Sequence, residues 1–372
     1  AALIFQSGGG VGVNYSQLRP EGDLVASTSG VASGPLSFMR IIDTVTDVVK
    51  QGGKRRGANM GVLNIRHPDI QEFIQIKEEE GKFENFNISV GIWSDFWQYL
   101  NESDSLYPLL NPRNGDVVEE VDAKQLLEMI AHSAWESADP GVIFFDRINE
   151  YNVLEPAKGK IDGTNPCGEQ PLYDYESCNL GSINLHNFLE GSEFNWDRYE
   201  KTIRTATRFL DNVIDMNKFP IEKIEKSTKD TRKIGLGVMG LANLLYEEEI
   251  PYNSAKGFEL MDKLAETLTY TAMDESTKLA QERGTFPVYE ESDYTEGEIP
   301  VPGYYESKNL YCDWDKLIDH IQERGIRNGM HTTVAPTGSI SMIGDTSNGI
   351  EPDFSLAYEK GVTAGDSYHT NN

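Results

Sequence analysis

The chain has 372 residues, 38% of them hydrophobic and 25% charged, and it carries a formal net charge of −27. Because such an acidic surface repels phosphate chains, we predict no nucleic-acid polymer as a partner, although a single nucleotide can still bind in a local basic pocket. No run of about 18 apolar residues occurs, so the sequence predicts no membrane-spanning helix and no membrane partner.

The number and spacing of the cysteines indicate the cellular compartment of the protein. Three cysteines do not form a disulfide framework, and neither a Cys-x-x-Cys pair nor a His/Cys cluster with zinc spacing occurs, so we predict no metal site. The same usage favours a reducing compartment, and we expect a cytoplasmic protein. The length suits one large α/β domain or two smaller ones.

The first elements are an apolar run, a glycine-rich stretch and a helix. The run Ala2–Gln6 has no capping residue before it, so we expect further residues upstream. Glycines at 8, 9, 10 and 12 allow either a close approach to a ligand or a tight turn between strands. A helix is predicted from Pro35 to Lys50, with an apolar stripe expected to face the core: Phe38, Ile41, Ile42, Val45, Val48 and Val49.

Three consecutive cations follow this helix, separated from it by Gln51, Gly52 and Gly53. Lys54, Arg55 and Arg56 stand out in a chain this acidic. They form either a solvated charge run or a mobile loop that folds over a nucleotide, since arginine makes flat, bidentate contacts with phosphate. The pattern leaves both hypotheses open.

Helical and strand patterns then alternate along the chain, which predicts a mainly parallel sheet in an α/β fold. The predicted strands are 87–92, 142–145 and 181–185, followed later by a β-rich run at 331–341. The predicted helices start at His67 and Asp122, with further helices at 196–216, 255–283 and 315–324. The Asp122 helix is expected to bury one face: Leu126, Leu127, Ile130, Ala131, Ala134 and Trp135. The 196–216 helix is expected to bury Ile203, Ala206, Phe209, Leu210, Val213 and Ile214.

A thiol, a carboxamide and a carboxylate alternate in one short segment: Asn165, Cys167 and Glu169. In an extended segment, residues i, i+2 and i+4 point the same way, so the three groups could face one small molecule. Pro166 and Gly168 favour a constrained loop. The alternative is an inert cysteine in a simple turn, and spacing alone, even with Cys178 eleven residues later, does not separate the two.

Glycines at 235, 237 and 240 match the pattern G-x-G-x-x-G. A dinucleotide fingerprint follows a strand, but a polar segment, 227–233, precedes this one, so we expect the glycines to allow close helix packing instead. Nicotinamide-cofactor binding would support the alternative of an NAD-type oxidoreductase. Cys312, which has no second cysteine nearby, is interpreted as structural.

The last motif is a turn, Pro336, Thr337, Gly338, Ser339 and Ile340. It offers two hydroxyl groups and successive backbone amides, which suit phosphate oxygens if the backbone forms a nest. An ordinary turn is the alternative interpretation. The sequence ends at Asn372 without a closing pattern or a cysteine-bearing tail.

Five stretches, in order, resemble the catalytic subunits of ribonucleotide reductases. The most specific are Asn165-Pro-Cys-Gly-Glu-Gln-Pro-Leu172 and Tyr175-Glu-Ser-Cys-Asn-Leu-Gly-Ser-Ile-Asn-Leu185, which resemble the family's finger loop, most closely that of the adenosylcobalamin-dependent class II enzymes. The glycine-rich stretch, the cation run and the turn at 336–341 with 347–352 complete the match. The resemblance implies a ten-stranded α/β barrel of two antiparallel five-stranded halves, with residues 1–372 as one barrel domain that lacks its N-terminal segment and its C-terminal end.

The resemblance also implies the reaction, the reduction of a ribonucleotide to a 2′-deoxyribonucleotide. The 5′-deoxyadenosyl radical of the cofactor adenosylcobalamin would take hydrogen from Cys167, and the resulting thiyl would take the substrate's 3′-hydrogen. Glu169 would act as general base on the 3′-hydroxyl, and Asn165 would hydrogen-bond the sugar hydroxyls. Cys178 would be one half of the dithiol that supplies two electrons. The other half would lie upstream of Ala1, so we expect residues 1–372 alone to complete no catalytic cycle.

Binding roles follow from the same resemblance. Gly9 and the turn of Pro336, Thr337, Gly338, Ser339 and Ile340 would contact the substrate, while Arg19, Lys54, Arg55 and Arg56 would bind deoxynucleotide effectors. A thioredoxin-like reductant and a second copy of the chain are the implied partners, with the helix from Pro35 in the homodimer contact. Two alternatives stay open: a class I subunit that uses a metallo-radical partner, and a non-catalytic nucleotide-binding paralogue.

Overall fold

A computed structural model describes residues 1–25, 29–49, 57–79, 81–101, 106–191, 193–307 and 309–355. The chain divides into two compact units. Unit 1 comprises Ala1–Glu150 and Ile161–Leu172, and unit 2 comprises Tyr151–Lys160 and the described residues from Tyr173 onward. Lys54, Arg55 and Arg56 lie outside the described residues.

Unit 1 alternates helices with strands, as the sequence pattern predicts. Its helices are α1 (Ala2–Ser7), α2 (Gly34–Val48), α3 (Ile70–Gln75), α4 (Asp95–Asn101), α5 (Ala123–Ser137) and α6 (Phe145–Glu150). Its strands are β1 (Val11–Asn14), β2 (Leu24–Val25), β3 (Gly30–Val31), β4 (Asn59–Asn64), β5 (Phe86–Ile92), β6 (Leu106–Leu110), β7 (Val117–Asp122), β8 (Gly141–Phe144), β9 (Gly163–Thr164) and β10 (Pro171–Leu172).

A four-stranded parallel sheet forms the centre of unit 1, in the order β1-β4-β5-β8. Val11 pairs with Asn59, Asn59 pairs with Phe86, and Ser89 pairs with Gly141. Strands β4 and β5 are buried along almost their whole length, as expected for parallel strands covered on both faces. The other strands of the unit form the hairpins β2-β3, β6-β7 and β9-β10.

The burial of α2 differs from the prediction. The helix has the expected position, but Phe38, Ile41 and Val48 are 48%, 61% and 75% exposed, whereas Leu36 and Met39 are buried. The prediction that this stripe faces the core is therefore wrong for these three residues. Helical spacing identifies one face of a helix, but it does not determine what covers that face.

Two further aromatic residues were assigned to the wrong face. Trp135 of α5 is 83% exposed, although Leu126 and Ile130 of the same helix are buried as predicted. Asp122 caps α5, because its Oδ1 accepts hydrogen bonds from the amides of Lys124 and Gln125. In unit 2, Phe209 is 65% exposed within a helix that otherwise buries its predicted face.

Unit 2 is mainly helical in its described part. Its helices are α7 (Glu155–Lys158), α8 (Trp196–Met216), α9 (Glu222–Thr231), α10 (Leu241–Glu247), α11 (Ala255–Arg283), α12 (Pro302–Glu306), α13 (Trp314–Arg324) and α14 (Ile340–Ile343), with short 3-10 helices at Leu185–Phe188, Tyr289–Glu291 and Asp293–Glu296. Its strands are β11 (Leu180–Asn184), β12 (Leu189–Glu190), β13 (Glu193–Phe194) and β14 (Gly235–Met239). Helices α8 and α11 agree with their predicted bounds.

Strands β11 and β14 run parallel, with Leu180 opposite Gly235, and they pack on α8 in a core that includes Ile203, Leu210 and Leu236. The run after residue 330 follows β14 in the same direction but forms only an isolated bridge between Leu236 and Thr332. The β-rich run predicted at 331–341 therefore forms no regular strand: it pairs with β14 only at this bridge and ends in a turn and the start of α14.

The glycines of the G-x-G-x-x-G pattern lie inside and just after β14. A Cβ at Gly237 would lie 2.6 Å from the carbonyl oxygen of Thr333, so this glycine allows two extended segments to approach. Gly240 has φ +79° and precedes α10, and a Cβ there would lie 2.4 Å from Asn184 Oδ1. The predicted close helix packing is therefore wrong, because the neighbours are extended backbone and a strand's side chain.

The structure confirms an α/β fold, with a four-stranded parallel sheet in unit 1 and a parallel strand pair in unit 2. Among the described residues, strand pairing consists of the four-stranded sheet and two-stranded pairs, and it does not close into a barrel. Within the same residues, every helix is too short or too polar to cross a membrane.

Candidate active site

The segment that carries Asn165, Cys167 and Glu169 is the tip of a hairpin in unit 1. Strands β9 and β10 pair antiparallel, with Thr164 opposite Pro171, and we call residues 163–172 the finger hairpin. At the tip, the amide of Gly168 donates to the carbonyl of Asn165 at 3.1 Å. Gly168 has φ +82°, a conformation that glycine adopts without strain.

The tip is a constrained turn, as Pro166 and Gly168 predict, and the three side chains therefore do not alternate along an extended segment. Asn165 Oδ1 accepts a hydrogen bond from the amide of Gln170 at 2.9 Å, which ties the two ends of the tip together. Cys167 is exposed, whereas Asn165 and Glu169 are half-buried. The turn therefore exposes the Cys167 thiol, whereas the carboxamide oxygen of Asn165 accepts a hydrogen bond within the turn.

The finger hairpin lies against the strand that follows the glycine-rich stretch. A Cβ at Gly12 would lie 1.7 Å from the carbonyl oxygen of Thr164, and a Cβ at Gly10 would lie 2.4 Å from Pro166 Cγ. Asn14 Nδ2 donates to the carbonyl of Asp162 at 2.7 Å. Positions 14, 12 and 10 thus meet positions 162, 164 and 166, so this arm of the hairpin runs antiparallel to β1.

A second asparagine holds the tip itself. Asn87 Nδ2, at the start of β5, donates to the carbonyl of Pro166 at 2.7 Å, next to Cys167. The sequence analysis missed Asn14 and Asn87, because a single asparagine near the end of a strand carries no motif. It did single out the glycines, and their absent side chains provide the space for the hairpin.

Arg19 lies in a loop of unit 1 whose backbone is fixed on both sides. His67 Nε2 lies 2.9 Å from the carbonyl oxygen of Leu18, and the amide of Glu21 donates to Asp69 Oδ2 at 3.0 Å. The amide of Asp69 donates to His67 Nδ1 at 3.1 Å, so Nε2 carries the proton that bonds Leu18. Burial lowers the pKa of His67, which favours this neutral form.

Gly9 follows the end of α1, where its amide donates to the carbonyl of Ile4 at 3.0 Å. It is therefore next to Gly10, which contacts the finger hairpin through Pro166. The structure brings the glycine-rich stretch and the finger hairpin together within unit 1.

Cys178 belongs to unit 2, immediately before β11, and is half-buried. Its neighbours in the chain are both held. The amide of Ser177 donates to Thr228 Oγ1 at 3.0 Å, and the side chain of Asn179 donates to the carbonyl of Leu210 at 2.8 Å.

Residues 336–340, which the resemblance assigns to phosphate binding and which we call the phosphate loop on that ground, also belong to unit 2. Thr337 has φ +55°, and its Oγ1 accepts a hydrogen bond from the amide of Gly349 at 2.7 Å. Ser341 Oγ donates to Asn348 Oδ1, so the two halves of the predicted motif meet. A Cβ at Gly338 would meet nothing within 4 Å, which leaves this part of the loop open.

The third cysteine, Cys312, lies in unit 2 and is half-buried. The carboxylate of Glu266 accepts hydrogen bonds from the amide of Cys312 at 2.8 Å and from Trp314 Nε1 at 3.0 Å. Burial, together with the charge of Glu266, raises the pKa of Cys312 to about 12, which disfavours the thiolate form. Among the described residues, no group of three or more His, Cys, Asp or Glu side chains could hold a metal ion.

The whole sequence, residues 1–372, matches the family described as "Ribonucleotide reductase, barrel domain", and the chain belongs to this family. It is 49% identical over 366 residues to a protein of Thermoplasma acidophilum named vitamin B12-dependent ribonucleoside-diphosphate reductase, covering 98% of this chain and 44% of that protein.

Two further relatives carry similar names. A Mycobacterium tuberculosis protein, also named vitamin B12-dependent ribonucleoside-diphosphate reductase, is 42% identical over 97% of this chain and 48% of its own length. A Streptomyces coelicolor protein named vitamin B12-dependent ribonucleotide reductase is 32% identical over 98% of this chain and 42% of its own length. The chain thus spans about half the length of the curated relatives it matches.

Proposed function

We propose that this chain is the catalytic barrel part of an adenosylcobalamin-dependent ribonucleotide reductase, acting on ribonucleoside diphosphates and so supplying DNA precursors. One observation carries the proposal: an exposed cysteine at the tip of a hairpin that two asparagines and two glycines hold against a parallel sheet. A radical carrier needs an accessible thiol in a fixed place, and Cys167 meets both requirements. The names of the relatives support the cofactor and the diphosphate substrate.

Cys167 fits a bulky cofactor, because such a group can reach only a thiol that is not covered, and this cysteine is exposed. When bound, adenosylcobalamin supplies the homolytic chemistry that removes one hydrogen atom from this thiol. The Cys167 thiyl then takes the 3′-hydrogen of the ribose. Glu169 accepts the proton of the 3′-hydroxyl, and water leaves from C2′.

Only part of the Asn165 carboxamide is assigned to substrate binding. Its Oδ1 is engaged with the amide of Gln170, so we assign its Nδ2 as the donor to the sugar hydroxyls. The internal bond also fixes the orientation of the group before substrate arrives.

The reduction of the ribonucleotide requires two electrons. The ribonucleotide loses one hydroxyl as water, and Cys178 with a second thiol is oxidised to a disulfide, giving the deoxyribonucleotide, water and the oxidised pair. A thioredoxin-like reductant then restores the dithiol by exchange. Cys312 is a poor member of this pair, because its pKa is raised to about 12.

The phosphate loop is proposed to bind the substrate diphosphate. The amides of Gly338, Ser339 and Ile340 have no hydrogen-bond partner among the described residues, and the loop is open at Gly338. Thr337 is fixed by Gly349, so the loop is preformed. Successive free amides suit phosphate oxygens, and Gly9 is proposed to lie beside the sugar.

Arg19, Lys54, Arg55 and Arg56 are proposed to bind the deoxynucleotide effectors. The backbone is held on both sides of Arg19, which supports this role, since an ordered loop loses less conformational entropy when its side chain binds phosphate. The exposed stripe of α2, with Phe38, Ile41 and Val48, supports a homodimer that covers this helix.

The ten-stranded barrel of two five-stranded halves, as one domain over residues 1–372, remains our proposal for the complete fold. Parallel pairing in both units supports it. We further propose a cytoplasmic location, because three cysteines in 372 residues do not form a disulfide framework.

The test is turnover by the complete protein with adenosylcobalamin, a ribonucleoside diphosphate and a dithiol reductant. We expect deoxynucleotide formation in the wild type and none with Cys167→Ser, while nucleotide binding persists, because a hydroxyl hydrogen is much harder to abstract. Cys312→Ser is the matched control and should keep wild-type turnover. Turnover that needs a metallo-radical partner but no cobalamin would instead support a class I subunit, and binding without turnover a non-catalytic paralogue.

A further inference from the structure

A fully buried ion pair lies directly before Cys178. The carboxylate of Glu176 and the ammonium of Lys233 are 2.8 Å apart, and their side chains are 0% and 1% exposed. Glu176 Oε2 also accepts a hydrogen bond from the amide of Tyr173 at 2.8 Å, and Glu176 Oε1 accepts one from Thr231 Oγ1. The Lys233 ammonium lies over the Tyr173 ring, 4.3 Å from its centroid.

These contacts tie the segment 173–177 to the end of α9. Ser227 Oγ donates to the carbonyl of Asp174 at 2.9 Å, and the amide of Ser177 donates to Thr228 Oγ1 at 3.0 Å. On the other side of Cys178, the amide of Gly235 donates to the carbonyl of Asn179 at 3.0 Å. The backbone that carries the thiol is therefore held before and after the cysteine.

Stability alone does not account for a buried pair of this kind. Removing two charges from water costs about as much as their attraction returns, so apolar residues of similar volume often stabilise a protein equally well. The pair instead restricts the segment to one geometry. The Glu176 carboxylate accepts from three donors and therefore has few alternative positions. A reacting group held in this way needs no ordering during the reaction.

We propose that Glu176 and Lys233 are positioning residues for the Cys178 thiol. This inference rests on the proposed function, in which Cys178 is one of the two thiols that supply electrons for reduction at C2′. The pair acts through the backbone of 173–177, and it sets where the thiol stands when the dithiol closes. Loss of the pair should impair reduction at C2′ and leave substrate binding intact.

The experiment compares Glu176→Gln, Lys233→Met and the double variant Glu176→Gln/Lys233→Met in the complete protein. Each single variant leaves one buried polar or charged group unpaired, so both should lower the Tm. The double variant removes both charges and should recover most of the lost Tm. The matched control is Glu225→Gln/Lys229→Met, which removes an exposed ion pair on α9.

The first measurement is the rate at which iodoacetamide alkylates Cys178 in each variant, followed by peptide mass spectrometry. Cys312 in the same chain is the internal reference, because burial raises the pKa of its thiol and we expect slow alkylation there. In the double variant, we expect alkylation of Cys178 to rise about tenfold, because the segment opens locally without global unfolding. The control pair should leave the rate unchanged. An unchanged rate in the double variant would overturn the proposal.

The second measurement is kcat and KM for nucleotide reduction. In the double variant we expect kcat to fall by about 10- to 100-fold at unchanged KM, since a misplacement of about 1 Å has effects of this size. If kcat recovers together with the Tm, the pair serves stability only and the proposal is wrong. A wild type without turnover would count against the proposed function, whereas the alkylation measurement would still decide the role of the pair.

Discussion

The carbonyl oxygen of Thr164 occupies the space that a side chain at Gly12 would need. An added Cβ would lie 1.7 Å from this oxygen and 2.9 Å from the carbonyl carbon, and both atoms belong to backbone that is paired in the finger hairpin. Neither strand can move away alone, since β1 pairs with β4 through Gly12 and Met60. The hairpin that carries Cys167 thus depends on the absence of a side chain at Gly12.

Gly12→Ala should displace the finger hairpin. Overpacking of this kind costs about 1–3 kcal/mol, so we expect a lower Tm and, in the complete protein, loss of nearly all turnover. Gly163→Ala is the matched control, because its Cβ would meet only Leu172 O at 3.7 Å, an ordinary contact. If Gly12→Ala keeps wild-type kcat, the close approach has no part in positioning Cys167.

Asn87→Asp should loosen the tip with little effect on stability. The change keeps the shape of the side chain but replaces the Nδ2 donor with an oxygen that faces the carbonyl of Pro166. One exposed hydrogen bond contributes about 1 kcal/mol, so the Tm should fall only slightly. We expect kcat to fall about tenfold, because Cys167 follows Pro166 directly.

The control for this change is Asn101→Asp. Asn101 also donates through Nδ2 to a backbone carbonyl, that of Trp97, but it lies at the end of α4. It should therefore show the same chemical change without an effect on kcat. Equal kcat values for the two variants would contradict the role given to Asn87.

The sequence predicted regular elements well where periodicity and end residues agreed. The bounds of α8 and α11 follow from apolar spacing, from the caps Asn195 and Ser254, and from Gly284, all of which are local. The tip of the finger hairpin could not be predicted in this way. Its conformation depends on the bond from Gln170 to Asn165 Oδ1 and on β1, which lies about 150 residues earlier in the chain.

The burial of aromatic residues was the second feature that the sequence did not predict. Phe38, Trp135 and Phe209 fit helical stripes, yet each is largely exposed, because a stripe only shows which residues share a face. Gly237 was recognised as a site of close approach, but its neighbour is the backbone at Thr333, a contact between distant segments that no local pattern encodes.

His67→Ala should weaken effector binding without lowering basal turnover. The imidazole holds the carbonyl of Leu18, next to Arg19, and its loss releases one side of the loop. We expect the Kd of a deoxynucleotide effector, measured by calorimetry, to rise severalfold while turnover without effector stays near the wild-type value. His132→Ala, at an exposed position on α5, is the control. A fall in basal turnover with an unchanged effector Kd would contradict the role of this loop.

His331 should make the protein sensitive to acid. Its side chain is buried, its Nε2 has no hydrogen-bond partner among the described residues, and burial lowers its pKa to about 3 from an ordinary value of 6.5. Because the pKa in the folded state is the lower one, the unfolded chain binds the proton first as the pH falls. The stability contributed by the neutral imidazole is therefore complete above about pH 6.5 and is lost towards pH 3, at about 1.4 kcal/mol per pH unit at most.

His331→Asn cannot titrate, so its free energy of unfolding should fall less steeply than that of the wild type between pH 6.5 and 4, measured by urea denaturation at each pH. His132→Asn, which removes an exposed histidine, should follow the wild-type curve. Parallel curves for the wild type and His331→Asn would show that His331 is protonated in the folded protein without cost.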